Sequence, residues 1–355
     1  MEEESTIIDI STLSVIDLLE RAESNFAEML YDKAKAFYQE AYLKNPDNED
    51  LLCSYANFLT TIGEISLART VLSHALLLNI EKSLNYKKFV QMAELVDGKL
   101  SVQLYEKSIE ILQKLHNPIV DNDPIQMEIK RDLAQAYSAL AEIYQTDLLQ
   151  YKESEELCRN NIEMALKIDS LCLDAYLQYA NFYLNKEEID QAKKWLKMLM
   201  DEIRKEENDD LDEPLKSKEK AIIEEESKEI KEQEKIIYNP IDAYPISFKL
   251  SVSRVLMEVE DYESSIEMLE DYVEEDEENV EALYLLAFCY FKAKNFTRCR
   301  EVMEDLGKKD LSEDAELMVA FKELQNEMSL VNLNEGYDKA EEGKEEDADD
   351  WMDVE

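Results

Sequence analysis

Few side chains in this sequence could carry out covalent or metal chemistry. The two histidines, His74 and His116, stand far apart, and neither has a neighbour at a metal-ligand spacing. The five cysteines, Cys53, Cys158, Cys172, Cys289 and Cys299, form no Cys-x-x-Cys pair, and their number is odd. That usage points to small buried thiols in a reduced, intracellular protein, not to a disulfide framework or a zinc site. There is no Gly-x-x-x-x-Gly-Lys phosphate loop and no nucleophile beside a histidine in a recognisable context. The expectation is a protein that is not an enzyme and takes no metal and no cofactor.

Carboxylate is the chemistry in excess. Aspartate and glutamate total 83 against 39 lysines and arginines, a formal net charge of -44. Such a surface repels nucleic-acid phosphates and anionic membrane faces, so neither is expected as a direct partner. It attracts basic polypeptides. No stretch approaches the ~18 apolar residues of a membrane-spanning helix. The start, Met1-Glu2-Glu3-Glu4, is acidic, unlike a signal or transit peptide.

The elements that position these groups follow from composition and period. The apolar share of 45% supports a true core, and only five glycines and six prolines occur in 355 residues. Doubly wound sheets, barrels and sandwiches need glycine at turns and bulges, so the fold is expected to be helical. Two near-identical phrases, SYANFL at 54–59 and YANFYL at 179–184, signal an internal repeat. With a period of about 34 residues, small and large residues fall at matching offsets. The first unit has Leu18, Ala22, Ala34, Tyr38 and Ala41, then Pro46, and the second has Leu52, Ala56, Ala68, Leu72 and Ala75 around Gly63. A degraded third unit turns at Gly98 and holds Ser101, Tyr105 and Ser108. The fourth has Tyr137, Ala141, Tyr144, Cys158, Ile162 and Ala165; the fifth has Tyr176, Ala180, Tyr183, Ala192, Leu196 and Leu199. Val252, Leu256, Tyr262, Ser265 and Leu269 mark a sixth, and Leu283, Ala287, Tyr290, Phe296, Cys299 and Met303 a seventh. Small residues let the two helices of a hairpin approach, and large ones fill the space to the next hairpin.

This is the tetratricopeptide pattern, and it predicts an all-α right-handed superhelix of about seven hairpins. Leu317, Met318, Phe321 and Leu324 stripe one more helix, the polar-backed cap that a solenoid requires. The expected organisation is an acidic N-terminal tail (1–15), repeats one to three (16–118), and repeats four and five (119–200). A charged, mobile insertion (201–240), repeats six and seven with the cap (241–330), and a disordered acidic tail (331–355) complete it. The turn cluster HNPIVDNDP separates units three and four.

In such a stack the first helix of each hairpin lines the inner groove. The inward offsets carry Asp50 and Asn57 in the second unit, Gln135 and Glu142 in the fourth, and Asp174 and Asn181 in the fifth. In the seventh they carry Glu281, Tyr284 and Phe288. Carboxylates suit lysines and arginines, amides can hold a peptide backbone through a donor and an acceptor, and aromatic rings offer apolar or cation–π contact. The offset at which heat-shock adaptors place a clamping lysine holds Cys53 and Leu177 instead, so that carboxylate clamp is missing.

Three stretches carry a narrower resemblance. AQAYSALAEIYQTDL at 134–148, VDGKLSVQLYEKSIEIL at 96–112, and the run from 244 (YPISFKL) to 291 (LLAFCYF) resemble the dedicated tetratricopeptide chaperones of large-subunit ribosomal protein four. The acidic, tryptophan-bearing end DDWMDVE does so too. The resemblance implies a cytoplasmic and nuclear protein that shields a basic extended segment of a newly made ribosomal protein until ribosome assembly. The competing expectation is a general scaffold or adaptor of a multi-protein regulatory complex, with no preference for basic clients.

Overall fold

The computed structural model describes residues 10–79, 83–120, 123–209, 244–311 and 314–346. The N-terminal tail up to residue 9, the insertion from 210 to 243 and the final residues 347–355 lie outside the described residues. Among the described residues the chain is helical throughout, with no strand. It divides into two compact units, Met1–Phe182 and Tyr183–Glu355.

The first unit holds α1 (Val15–Ala27), α2 (Tyr31–Lys44), α3 (Glu49–Thr61), α4 (Ile65–Leu77), α5 (Lys87–Glu94), α6 (Gly98–Leu115), α7 (Pro124–Gln145) and α8 (Ser154–Ile168). The start of α9 (Leu173–Leu184) completes it. The repeat residues do what their sizes dictate. Ala22, Ala56, Ala141 and Ala180 on first helices are wholly buried, as are Ala34 and Ala68 on second helices. Tyr38 fills the space between the first two hairpins, stacked on Tyr55 at 5.6 Å and against Phe58 at 5.1 Å between ring centroids. The degraded third unit pairs the short α5 with α6, where Ser101 donates to the Ala93 carbonyl at 2.8 Å. Asp123 caps α7 through the amides of Ile125 and Gln126, with Pro124 in the first helical position.

The second unit holds α10 (Ile189–Asp209), α11 (Ile246–Glu258), α12 (Tyr262–Glu275), α13 (Val280–Lys292), α14 (Phe296–Leu306) and α15 (Ala315–Glu346). Ala192, Ser265 and Cys299 are the small second-helix residues here, all fully buried. Ser265 sits 3.4 Å from the Cys289 thiol across the hairpin interface. On α15, Leu317, Phe321, Leu324 and Met328 are buried, while Met318 is half-buried.

Two boundaries differ from the expected organisation. Helix α10 runs past residue 200 because Ile203 continues the buried stripe of Leu196, Leu199 and Met200. Helix α15 runs past Leu330 to Glu346, through a stretch that contains no proline to stop it.

The scarcity of glycine is resolved at the hairpin turns. Gly63 takes the left-handed conformation (φ 78°) between α3 and α4, and Met29 (58°), Glu187 (60°), Glu260 (63°) and Lys294 (60°) take it at equivalent turns. Each following residue donates its amide five residues back: Leu30 to Asn25, Glu64 to Leu59, Glu188 to Tyr183, Asp261 to Leu256 and Asn295 to Tyr290, at 2.8–2.9 Å. This bond closes the helix end and reverses the chain whichever side chain is present.

Candidate interaction surface

In the first unit the inward offsets fall on α3, α7 and α9. Asn57 is exposed on α3. Asp50, two turns earlier on the same face, accepts from the Asn85 amide at 2.9 Å, and Asn85 also accepts a longer contact from the Cys53 thiol at 3.8 Å. On α7, Gln135 is half-buried and Glu142 exposed; on α9, Asp174 and Asn181 are half-buried.

A glutamine pair joins α7 to α9. Gln145 donates through its side-chain amide to the Gln178 side-chain oxygen at 3.0 Å and to the Gln178 carbonyl at 3.2 Å. Gln178 in turn donates to Glu142 at 3.4 Å. Glu142 keeps solvent contact, yet its surroundings shield it closely enough that desolvation, then the nearby Asp147 charge, pushes its carboxyl above the ordinary range. Glu94 on α5 keeps solvent contact yet is surrounded closely enough that burial pushes it up as well. Burial pushes the Tyr105 hydroxyl up, and the charges of Glu94, Glu142 and Asp174 add to that shift. Of these three acids the sequence singled out only Glu142 and Asp174.

The thiols are held away from chemistry. Burial pushes Cys53, Cys158 and Cys172 up to about 12 and Cys289 and Cys299 up to about 11, so all remain protonated at neutral pH.

One group in this unit was missed by hydrophobic periodicity. Lys88 on α5 is wholly buried, 3.0 Å from the Glu49 carboxylate, and donates to the carbonyls of Ala75 and Leu78, each at 3.0 Å. Glu49 also accepts from Asn79 at 2.8 Å and from the Ser83 hydroxyl. Its desolvation alone would raise the carboxyl, but the bonds from Ser83, Asn79 and Lys88 and the lysine charge together hold it below the usual range. The node ties the start of α3 to the end of α4 and to α5, and so sets where Asp50 stands.

In the second unit, Glu281 on α13 is paired with Arg254 of α11 and is therefore already partly neutralised. Tyr284 and Phe288 lie 6.3 Å apart between ring centroids, and Tyr262 approaches Phe288 at 6.5 Å. Lys292 already sits over the Phe288 ring, 5.1 Å from its centroid. Burial, then the charges of Glu323 and Glu327 on α15, push the Tyr284 hydroxyl up. The face around Tyr284 is thus aromatic and acidic together. The inward residues fall in two groups, one per unit: Asp50, Asn57, Gln135, Glu142, Asp174 and Asn181 in the first, and Glu281, Tyr284 and Phe288 in the second.

Comparison with known proteins accords with this architecture. A tetratricopeptide-repeat family model matches residues 256–318. The chain is 26% identical over 219 residues to a probable assembly chaperone of rpl4 from Schizosaccharomyces pombe, across 61% of this chain and 55% of that protein. The match thus spans little more than half of that relative's length. Among solved structures, an assembly chaperone of RpL4 (Acl4, residues 1–338) superposes with a TM-score of 0.54 at 20% identity, covering 81% of this chain and 99% of that one. At that identity the structural likeness speaks to the fold, which is all-α and built of tetratricopeptide hairpins.

Proposed function

We propose that this tetratricopeptide-repeat protein, similar to assembly chaperones of Rpl4, shields a basic, extended segment of a newly made large-subunit ribosomal protein. It is a non-enzymatic protein-binding scaffold. The observation that carries the reading is the sequence match over 219 residues to a probable rpl4 assembly chaperone. The charge of -44 supplies the physical reason. Ribosomal proteins carry lysine- and arginine-rich extensions that stay unfolded without their RNA. Carboxylates lining helical hairpins neutralise such an extension, keep nucleic acid off it and block its aggregation.

Asp50, Glu142, Asp174 and Glu281 meet the client's cations, with Glu281 exchanging its Arg254 partner for one of them. Asn57, Gln135 and Asn181 offer hydrogen bonds to the extended chain. Tyr284 and Phe288 supply apolar and cation–π contact. Attraction at contact range survives physiological screening over about 8 Å but stays weak enough to yield to the denser charge of RNA. Release is then competition and needs no nucleotide hydrolysis. A protein with this task works in the cytoplasm and the nucleus.

Pull-down with purified Rpl4-type ribosomal protein at low and high salt tests the reading. Capture at low salt that fades as salt rises is expected. Capture indifferent to salt, or no capture at either, sinks it.

A further inference from the structure

We infer that a cationic pocket between α10 and the α11–α12 turn of the second unit docks the chain's own acidic, tryptophan-bearing segment 347–355. This contact stands apart from client capture. The pocket walls come from second helices and a turn, not from the inward positions.

In a chain with 83 carboxylates against 39 lysines and arginines, the surface of α10 is an exception. Lys193, Lys197 and Arg204 fall at i, i+4 and i+11, one stripe of the helix, with Leu196 and Met200 buried along it. Lys193 and Lys197 are exposed, and neither has an ion-pair or hydrogen-bond partner among the described residues. Arg204 is fixed in place. It donates to the two Glu267 oxygens at 2.6 and 3.1 Å and to the Ser264 hydroxyl at 3.2 Å. This clamp ties α10 to α12 and preserves the space beside it.

That space has a volume of about 450 Å³ and a floor of Leu196, Met200 and Val259. It lies within the size range of sites that take a large apolar group. Glu260 and Asp261 stand on the far wall, where Asp261 is engaged as the α12 cap and accepts from the Ser264 amide at 3.2 Å. The arrangement fits an aromatic side chain on the floor, flanked by carboxylates that turn towards Lys193 and Lys197.

Segment 347–355, DADDWMDVE, has that pattern. Trp351 and Met352 stand between Asp349, Asp350 and Asp353, and the segment contains no lysine or arginine. The other long acidic stretch outside the described residues, 210–243, carries six lysines and no tryptophan, so its charge complements the pocket less well. Attachment favours the match. Helix α15 packs on α13, and its Met328 shares a core cluster with Leu250 of α11 and Leu269 of α12, so the segment departs from the body that carries the pocket. Nine extended residues span up to about 30 Å. A short tether of this kind supplies an effective concentration of about millimolar, so even weak docking is populated.

Fluorine NMR of the whole chain, grown with fluorotryptophan, tests the docking. The chain holds two tryptophans, Trp195 and Trp351, and a Trp351→Phe variant assigns their signals. In the parent at low salt the Trp351 signal should lie away from that of a synthetic 347–355 peptide, at a position independent of protein concentration. A Lys193→Glu, Lys197→Glu variant, shown folded by circular dichroism, should move it to the peptide's position. An Asp349→Asn, Asp350→Asn, Asp353→Asn variant should do the same while leaving the pocket untouched, and high salt should move it part of the way. A parent signal at the peptide's position overturns the docking. A displaced signal that neither variant moves overturns the pocket as its place. A displacement that emerges only as protein concentration rises assigns the contact to a second copy and overturns docking within one chain. No ribosomal protein is present, so each of these outcomes leaves the chaperone reading to its own salt-dependent pull-down.

Discussion

The Lys88 ammonium and the Glu49 carboxylate lie 3.0 Å apart, one wholly buried and the other nearly so. The pair joins two repeats, because Glu49 opens α3 and Lys88 lies in α5 with its remaining donors on the carbonyls that end α4. Removing the cation alone leaves Glu49 and two carbonyls without their shared donor. Lys88→Met should therefore destabilise the protein by about 3–5 kcal/mol. Urea unfolding followed by circular dichroism would read this as a lowered midpoint at unchanged helical content, and a shift near zero would place the lysine outside the core.

The same node has a pH signature. The folded-state pKa of Glu49 lies below its ordinary value of 4.5, so its contribution is fully present above about pH 4.5. It is lost as pH falls through the depressed folded value. Glu49→Gln should cost most at neutral pH, and its cost should shrink towards pH 3. Parent and variant compared across that range supply the measurement. A cost that grows on acidification contradicts the assignment.

Turn residues make a prediction of opposite signs. Lys294 and Glu260 occupy the left-handed region that disfavours side chains, and Gly63 occupies it at the equivalent turn. Lys294→Gly or Glu260→Gly should stabilise by about 0.5–1 kcal/mol, the relieved strain exceeding the entropy that glycine adds to the unfolded chain. Gly63→Ala should destabilise by about 1 kcal/mol although nothing lies within 4 Å of the added carbon, because the cost is in the backbone. Thermal melts of the three variants decide between these signs and a uniform loss.

Hairpin cores were legible because their rule is local and repeated: Ala22, Ala56, Ala141, Ala180 and Ala287 recur at one offset and all are fully buried. A large side chain at Ala180 should accordingly overpack its site and cost about 1–3 kcal/mol, measured by denaturant unfolding. Two hairpin turns were legible from their glycines, Gly63 and Gly98, whereas Met29, Glu187, Glu260 and Lys294 take the left-handed conformation without any compositional mark. Lys88 escaped notice because periodicity assigns a lysine to the surface, and the partner that permits its burial lies a repeat upstream. Glu281 was legible as an inward acid, but its pairing with Arg254 depends on the neighbouring hairpin. The continuation of α10 past residue 200 and of α15 past residue 330 was hidden by charge-rich sequence, in which the apolar stripe that Ile203 extends is thin.

The central claim is that carboxylates on the inner helices capture a basic client. The most direct measurement is the affinity of an Asp50→Lys, Glu142→Lys, Asp174→Lys protein for the Rpl4-type ribosomal protein at low salt, after circular dichroism has shown the fold intact. Exposed pairs contribute only about 0.2–1 kcal/mol each, so a single reversal should weaken binding several-fold. The triple reversal, which replaces attraction by repulsion along one face, should abolish it. Binding as tight as that of the parent would show that the client lies elsewhere and would contradict the mechanism, while leaving the fold as described.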